Sequence, residues 1–176
     1  MRYLLLLTLL GCEDIASEKL GDAVLGNVTS MSVGEDIQGD LSEGEILSDL
    51  DWAQNSAVAC WPGNEHINFM GHHVFYSVSQ EPHTLLTATV TPDSADVDVN
   101  VYILQQSEGN SQVPPAVTSV VTCEVGFPQS TDANPGEEDS ARVTAIEKSY
   151  FNVVGVAGPE GAVSGGYTLS ISSEPY

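Results

Sequence analysis

From Val33 onward, apolar positions recur at every second residue in short runs, and Gly, Pro, Asn and Asp separate the runs. The clearest run sets Val97, Val99, Val101 and Ile103 against Asp98, Asn100 and Tyr102, the pattern of a strand buried on one face. Tyr167, Leu169 and Ile171 alternate with Thr168, Ser170 and Ser172 in the same way. The pattern predicts strands at Asp36–Leu41, His73–Val78, Leu85–Thr91, Val97–Leu104, Val117–Val125, Ala141–Glu147, Tyr150–Val156 and Tyr167–Ser172. Many short strands with turn residues between them point to an all-β antiparallel sandwich or barrel. One helical turn or short helix is expected within Glu43–Gln54, where Ile46, Leu47 and Leu50 share a face. Pro114-Pro115 interrupts any strand, and Gly126–Asp139, with two prolines and two glycines, is expected to be an exposed loop.

The N-terminus follows another rule. Arg2 precedes the apolar run Tyr3–Gly11, which ends in Leu9-Leu10-Gly11-Cys12. The run is too short for a bilayer span, which needs about 20 apolar residues, and suits the apolar region of a secretory signal. It is similar to a bacterial lipoprotein signal. That resemblance implies export, cleavage before Cys12, lipidation of Cys12 and attachment to a membrane of the cell envelope, on its periplasmic side or at the cell surface. Residues 1–11 are then the signal peptide, 12–32 an acidic tether without apolar period, and 33–176 the β domain.

Charge narrows the partners. Without residues 1–11 the chain keeps three basic residues, Lys19, Arg142 and Lys148, against 25 acidic ones, a formal charge of −22. Too few cations remain to neutralise phosphates, which argues against nucleic acid and against docking on anionic lipid headgroups. The acids could be a solvated repulsive surface, a salt adaptation or ligands for Ca²⁺.

Several runs resemble the bacterial pre-peptidase C-terminal domain. They are Val74–Val78, Leu85–Val90, Ala95–Leu104 with its Ala-Asp-Val-Asp opening, Tyr150–Val156, and the closing Gly165-Gly166-Tyr167-Thr168-Leu169-Ser170-Ile171. The match covers about residues 70 to 173. The resemblance implies a β-sandwich of jelly-roll type with a binding, stabilising or adhesive role. That domain usually accompanies a catalytic domain, and this chain carries none.

Candidate chemistry is sparse. With Cys12 assigned to lipid, Cys60 and Cys123 are expected to pair, because exported domains favour disulfides. Trp61 is expected to cover that bridge. His66, His72, His73 and His83 fall in one span, but adjacent His72 and His73 face opposite ways on a strand. Asp96-x-Asp98-x-Asn100 opens like an EF-hand loop, yet Val101 and Ser107 stand where Gly and Glu are required. Asp93, Asp96 and Asp98 are therefore the candidates for a weak, non-EF Ca²⁺ site at a strand end, against the alternative of a plain polar face. No nucleophile elbow, phosphate loop or zinc-protease motif occurs. The expectation is a non-catalytic binding or adhesive module whose partner is an envelope protein or extracellular polymer. A structural subunit of another envelope protein and, further off, a hydrolase with an unrecognised carboxylate pair are the alternatives.

Overall fold

The structure, a computed structural model, describes residues 28–47, 49–53, 60, 66–125 and 134–176. Its strands are β1 Val28–Ser30, β2 Asp36–Asp40, β3 Glu45–Ile46, β4 His72–Gln80, β5 Thr84–Pro92, β6 Asn100–Ser107, β7 Thr122–Val125, β8 Asp139–Ala145, β9 Tyr150–Ala157 and β10 Gly166–Pro175. One sheet has the order β1-β4-β9-β6-β7, with β3 also paired to β4, and the other has the order β2-β10-β5-β8. The pairings are antiparallel except β1 with β4, where Val28 to Ser30 run parallel to Phe75 to Ser77.

The inner faces of the two sheets make the main core. Val74, Tyr76 and Val78 of β4, Val101 and Ile103 of β6, and Val154 and Val156 of β9 meet Leu86, Ala88 and Val90 of β5 and Tyr167, Leu169 and Ile171 of β10. At one end the apolar rows stop at three buried amides, Gln80, Gln105 and Asn152. Gln80 Nε2 donates to the carbonyls of Thr84 and Val143 in the facing sheet, which sets its amide orientation. Its Oε1 accepts from Gln105 Nε2 at 3.0 Å and Asn152 Nδ2 at 3.2 Å. Asn152 Oδ1 is left buried without a hydrogen-bond partner.

The six-stranded sheet is apolar on its outer face as well. Phe75, Tyr102, Leu104, Val153 and Ala157 are buried there beneath Trp52, Ala53, Phe69, Val113 and Val117. Gly155 makes this packing possible, since a Cβ at that position would fall within the Tyr102 ring. The covering layer is pinned in three places. Gln106 exchanges two hydrogen bonds with the backbone of Gln112, at 2.7 and 2.8 Å. The disulfide Cys60–Cys123, with Cα atoms 4.9 Å apart, joins the cover to β7. His73, 2 % exposed, takes the third place. Its Nε2 lies 2.7 Å from the Phe69 carbonyl, which can only accept, so Nε2 carries the proton. Nδ1 then accepts from the Tyr102 hydroxyl at 2.9 Å.

The structure revises several sequence expectations. The alternating run does not begin β6 at Val97: Asp96 to Val99 lie outside the strand, and β6 is buried on both faces because of the covering layer. The stretch 117–121 belongs to that layer rather than to β7. Of the helical turn or short helix expected within Glu43–Gln54, the described residues hold a 3₁₀ turn at Asp51–Ala53, while Ile46 lies in the short strand β3 and a further 3₁₀ turn, Leu41–Glu43, overlaps the start of the span. Leu47 and Leu50 find their apolar contacts in the cover, so no helical face is needed. Val28–Ser30, assigned to the tether, is a strand of the sandwich. Cys12, Trp61 and most of the loop at 126–139 lie outside the described residues.

Replacing Cys60 and Cys123 by Ser together is expected to lower the unfolding free energy by about 4 kcal/mol, since the bridge spans 63 positions. Urea unfolding of the two proteins checks this. Burial lowers the His73 pKa from 6.5 to about 4. The neutral ring therefore stabilises the fold fully above pH 6.5, and that contribution is lost as the pH falls toward 4, by roughly 3 kcal/mol. His73→Gln should reduce the loss of melting temperature between pH 7 and pH 4.5 by thermal scans, even though it lowers stability at pH 7.

Candidate functional site at the acidic end of the sandwich

At the end opposite the buried amides, β4, β6, β8 and β10 begin and β2, β5 and β9 finish. The loop after β5 is closed by backbone bonds from Asp93 N to Gly166 O and from Val97 N to Ser94 O. Val97 O in turn accepts from Gly136 N at 2.7 Å, which holds the loop before β8 against the loop before β6. These two loops bring Asp98, Asn100, Asn134, Glu137, Glu138 and Asp139 around a cavity of about 100 Å³.

Asp139 anchors this arrangement. It is buried, and its Oδ2 accepts the Val101 backbone N–H at 2.9 Å, so β8 of one sheet is tied to β6 of the other. Its Oδ1 accepts from Ser140 N at 2.8 Å. Burial raises its pKa, and the neighbouring negative charge of Asp98 adds to the rise. Burial also raises the Asp98 carboxyl, against a hydrogen bond from the Asn134 backbone that favours the charged form. Asn100 donates to the Asn68 carbonyl at 3.0 Å and so joins the cavity wall to the 3₁₀ turn His66–Phe69.

The proposed Ca²⁺ ligands are not brought together here. Asp93 points at Gly166, Asp96 lies exposed in its turn, and Asp98 faces the cavity. Among the described residues no three His, Cys, Asp or Glu are placed to hold one metal ion. Asp96 to Val99 leave the strand, so their side chains do not share one pleated face. The histidines are dispersed too. His72 Nδ1 lies 2.9 Å from Leu41 O, His73 is sealed under the cover, and His83 sits at the other end in a turn with φ of 59°. Trp52 is buried against Tyr102, ring centroids 5.8 Å apart, and forms no exposed platform.

Sequence reasoning missed Asp139 and Asn134, because both were read as part of one exposed loop. The signal that could have found Asp139 is its place two residues before Ala141, on the same face as the core positions Ala141 and Val143. A second hollow, of about 300 Å³, lies on the β1–β4 side and is bordered by Ser30, Ser32, Ser77, Ser79 and Phe151. No helix among the described residues is long and apolar enough to cross a membrane.

No protein-family model matches the chain, and neither does any curated protein sequence. Among solved structures, it is similar to the periplasmic inhibitor of g-type lysozyme PliG from Aeromonas hydrophila, at 8% identity over 84% of this chain and 98% of that one, TM-score 0.43. It is similar also to CorA, a surface-associated copper-binding protein of Methylomicrobium album BG8, at 10% identity over 83% and 98%, TM-score 0.44. A third similar structure is the pre-peptidase C-terminal domain of a collagenase from Bacillus anthracis, at 14% identity over 82% and 94%, TM-score 0.40. The likenesses are ones of fold, and the two-sheet sandwich described above resembles that pre-peptidase C-terminal domain.

Proposed function

We propose that this chain is a lipid-anchored protein of the bacterial cell envelope. Cys12 is its acylated residue, and the sandwich is its non-catalytic binding or adhesive module. The observation that carries the reading is the Cys60–Cys123 bridge, which ties the cover to the sheet edge and suits an oxidising, extracytoplasmic setting. The signal-like run ending at Cys12 supports the same setting. The acidic end does not favour hydrolysis. Asp98 and Asp139 do border one cavity, but about 100 Å³ is well below the roughly 300 Å³ at which ligand pockets begin. Both Asp139 oxygens are also engaged by backbone N–H groups. A structural subunit of a larger envelope assembly is the neighbouring alternative.

Mass spectrometry of the N-terminus should find a diacylglyceryl Cys12 as the first residue. An unmodified Met1, or cleavage elsewhere, overturns the anchor. A cell-wall and glycan pull-down with the protein carrying Cys12→Ser tests the binding role, and retention of no envelope component overturns it.

Weak Ca²⁺ binding at the same cavity is a second reading. It is favoured by hard oxygen donors on Asp98, Asn100 and Asp139 beside one small space. With fewer than three acids converging, water would supply the remaining ligands and the affinity would be low. Millimolar CaCl₂ should raise the melting temperature more than NaCl at matched ionic strength. Equal shifts rule the site out.

A further inference from the structure

We infer that the hollow where the β1 segment leaves β4 is a binding site for one neutral pyranose ring, a hexose or N-acetylhexosamine unit of a glycan. The inference rests on the reading of the domain as a binding module and names its ligand class and its place.

The hollow forms where the covering layer stops. The outer-face row of β4 reads His73, Phe75, Ser77, Ser79. Its first two members are buried, Ser77 is half-buried and Ser79 is exposed. On β9 the same face runs from the buried Ala157 and Val153 to the half-buried Phe151. The strand registers bring the less covered members together. Ser77 pairs with Ser30 of β1, and Ser79 pairs with Phe151. After Ser30 the chain dips inward at Met31, which is buried in the main core, and Ser32 returns to the surface. Together these residues border one hollow of about 300 Å³. Ligand pockets begin at roughly that volume, so the space suits a single ring rather than a long chain.

The polar groups and the charge select the ligand. Met31 N donates to Ser77 O at 2.8 Å, so the backbone groups of Ser77, and two residues on those of Ser79, face the β1 side. That bond ends the ladder, and the Ser79 N–H and carbonyl meet no partner among the described residues. The hydroxyls of Ser30, Ser77 and Ser79 likewise bond to no described residue. The site thus offers a fixed donor, a fixed acceptor and several rotatable hydroxyls beside one aromatic ring. A pyranose matches that set, because its C–H groups pack on an apolar ring and its hydroxyls both donate and accept. No residue bordering the hollow carries a charge, in a chain with 25 acidic residues. Glu35 lies behind the rim and accepts from Ser32 N at 2.8 Å. A cationic ligand finds no counter-charge inside the hollow, and the chain as a whole repels an anionic one. An added β-strand is not favoured either. Strands usually span about 5–6 residues, and β4 offers only Ser79 between its last bond to the β1 segment and its turn.

The test uses the full chain carrying Cys12→Ser, isotope-labelled for NMR and titrated with neutral oligosaccharides of glucose, mannose, galactose and N-acetylglucosamine. At least one of these sugars should shift the amide resonances of Ser30, Ser77, Ser79 and Phe151 in a saturable way. If none of them does, or if the shifts fall at the Asp98–Asp139 cavity instead, the inference is overturned. For the sugar that binds, Phe151→Ala should weaken affinity by at least about tenfold. Ser79→Glu, which puts bulk and charge into the hollow, should weaken it as much. Ser140→Glu together with Ser172→Glu, on the exposed face of the smaller sheet, should leave affinity within about twofold. If that control weakens binding as strongly, or if Ser79→Glu does not weaken it, the sugar is not held in this hollow. Near-ultraviolet circular dichroism verifies each fold. Phe151 is half-buried, and if its variant does not fold, the exposed Ser79 decides the outcome. A protein that retains envelope material in the pull-down but binds none of the four sugars keeps its role as a binding module and loses this site.

Discussion

The constraint on which this structure depends is that its larger sheet is apolar on both faces. β6 runs from Asn100 to Gln106 with no exposed residue, and β9 is buried from Asn152 to Ala157. A two-layer sandwich can cover only one of those faces. The other must be covered by irregular chain, and irregular chain does not satisfy its own backbone polar groups as a strand does. The cover is therefore held by specific bonds. Gln106 supplies a bidentate amide to Gln112, whose own side chain then accepts from the N–H groups of Thr118 and Ser119. His73 supplies a link from the Phe69 carbonyl to the Tyr102 hydroxyl. Cys60–Cys123 supplies the covalent tie.

The same logic governs the two ends of the core. At one end the apolar rows are closed by the Gln80, Gln105 and Asn152 amides: Gln80 and Gln105 bond across to carbonyls of the facing sheet, and both Gln105 and Asn152 donate to Gln80. At the other, Asp139 bridges the sheets by accepting the Val101 N–H. That bridge places a carboxyl in a poorly solvated position beside Asp98, and both are harder to ionise than ordinary aspartates for that reason. The acidic end is thus built by a structural bond rather than added to a finished fold. Its loops are joined by Gly136 to Val97 and by Asn100 to Asn68.

Periodicity alone was enough for an all-β sandwich and for the position of most strands. Tyr167 to Ile171 illustrate why: every second side chain must enter the core, so a wrong register would bury Thr168 and Ser170 and expose Leu169. Cys60 and Cys123 were legible as a pair because only two cysteines remained after Cys12. Alternation could not reveal that Tyr102 and Leu104 face a second buried surface, since that depends on chain remote in sequence. Nor could it show that Asp96 and Asp98 leave the strand, or that Asp139 belongs to the core. A carboxylate reads as polar wherever it stands, and only the position of the Val101 N–H makes burial favourable. The β3–β4 pairing and the path of the loop after β9 were likewise decided only by the tertiary structure, because hydrogen bonds between distant segments, unlike local periodicity, exist only once the chain has folded.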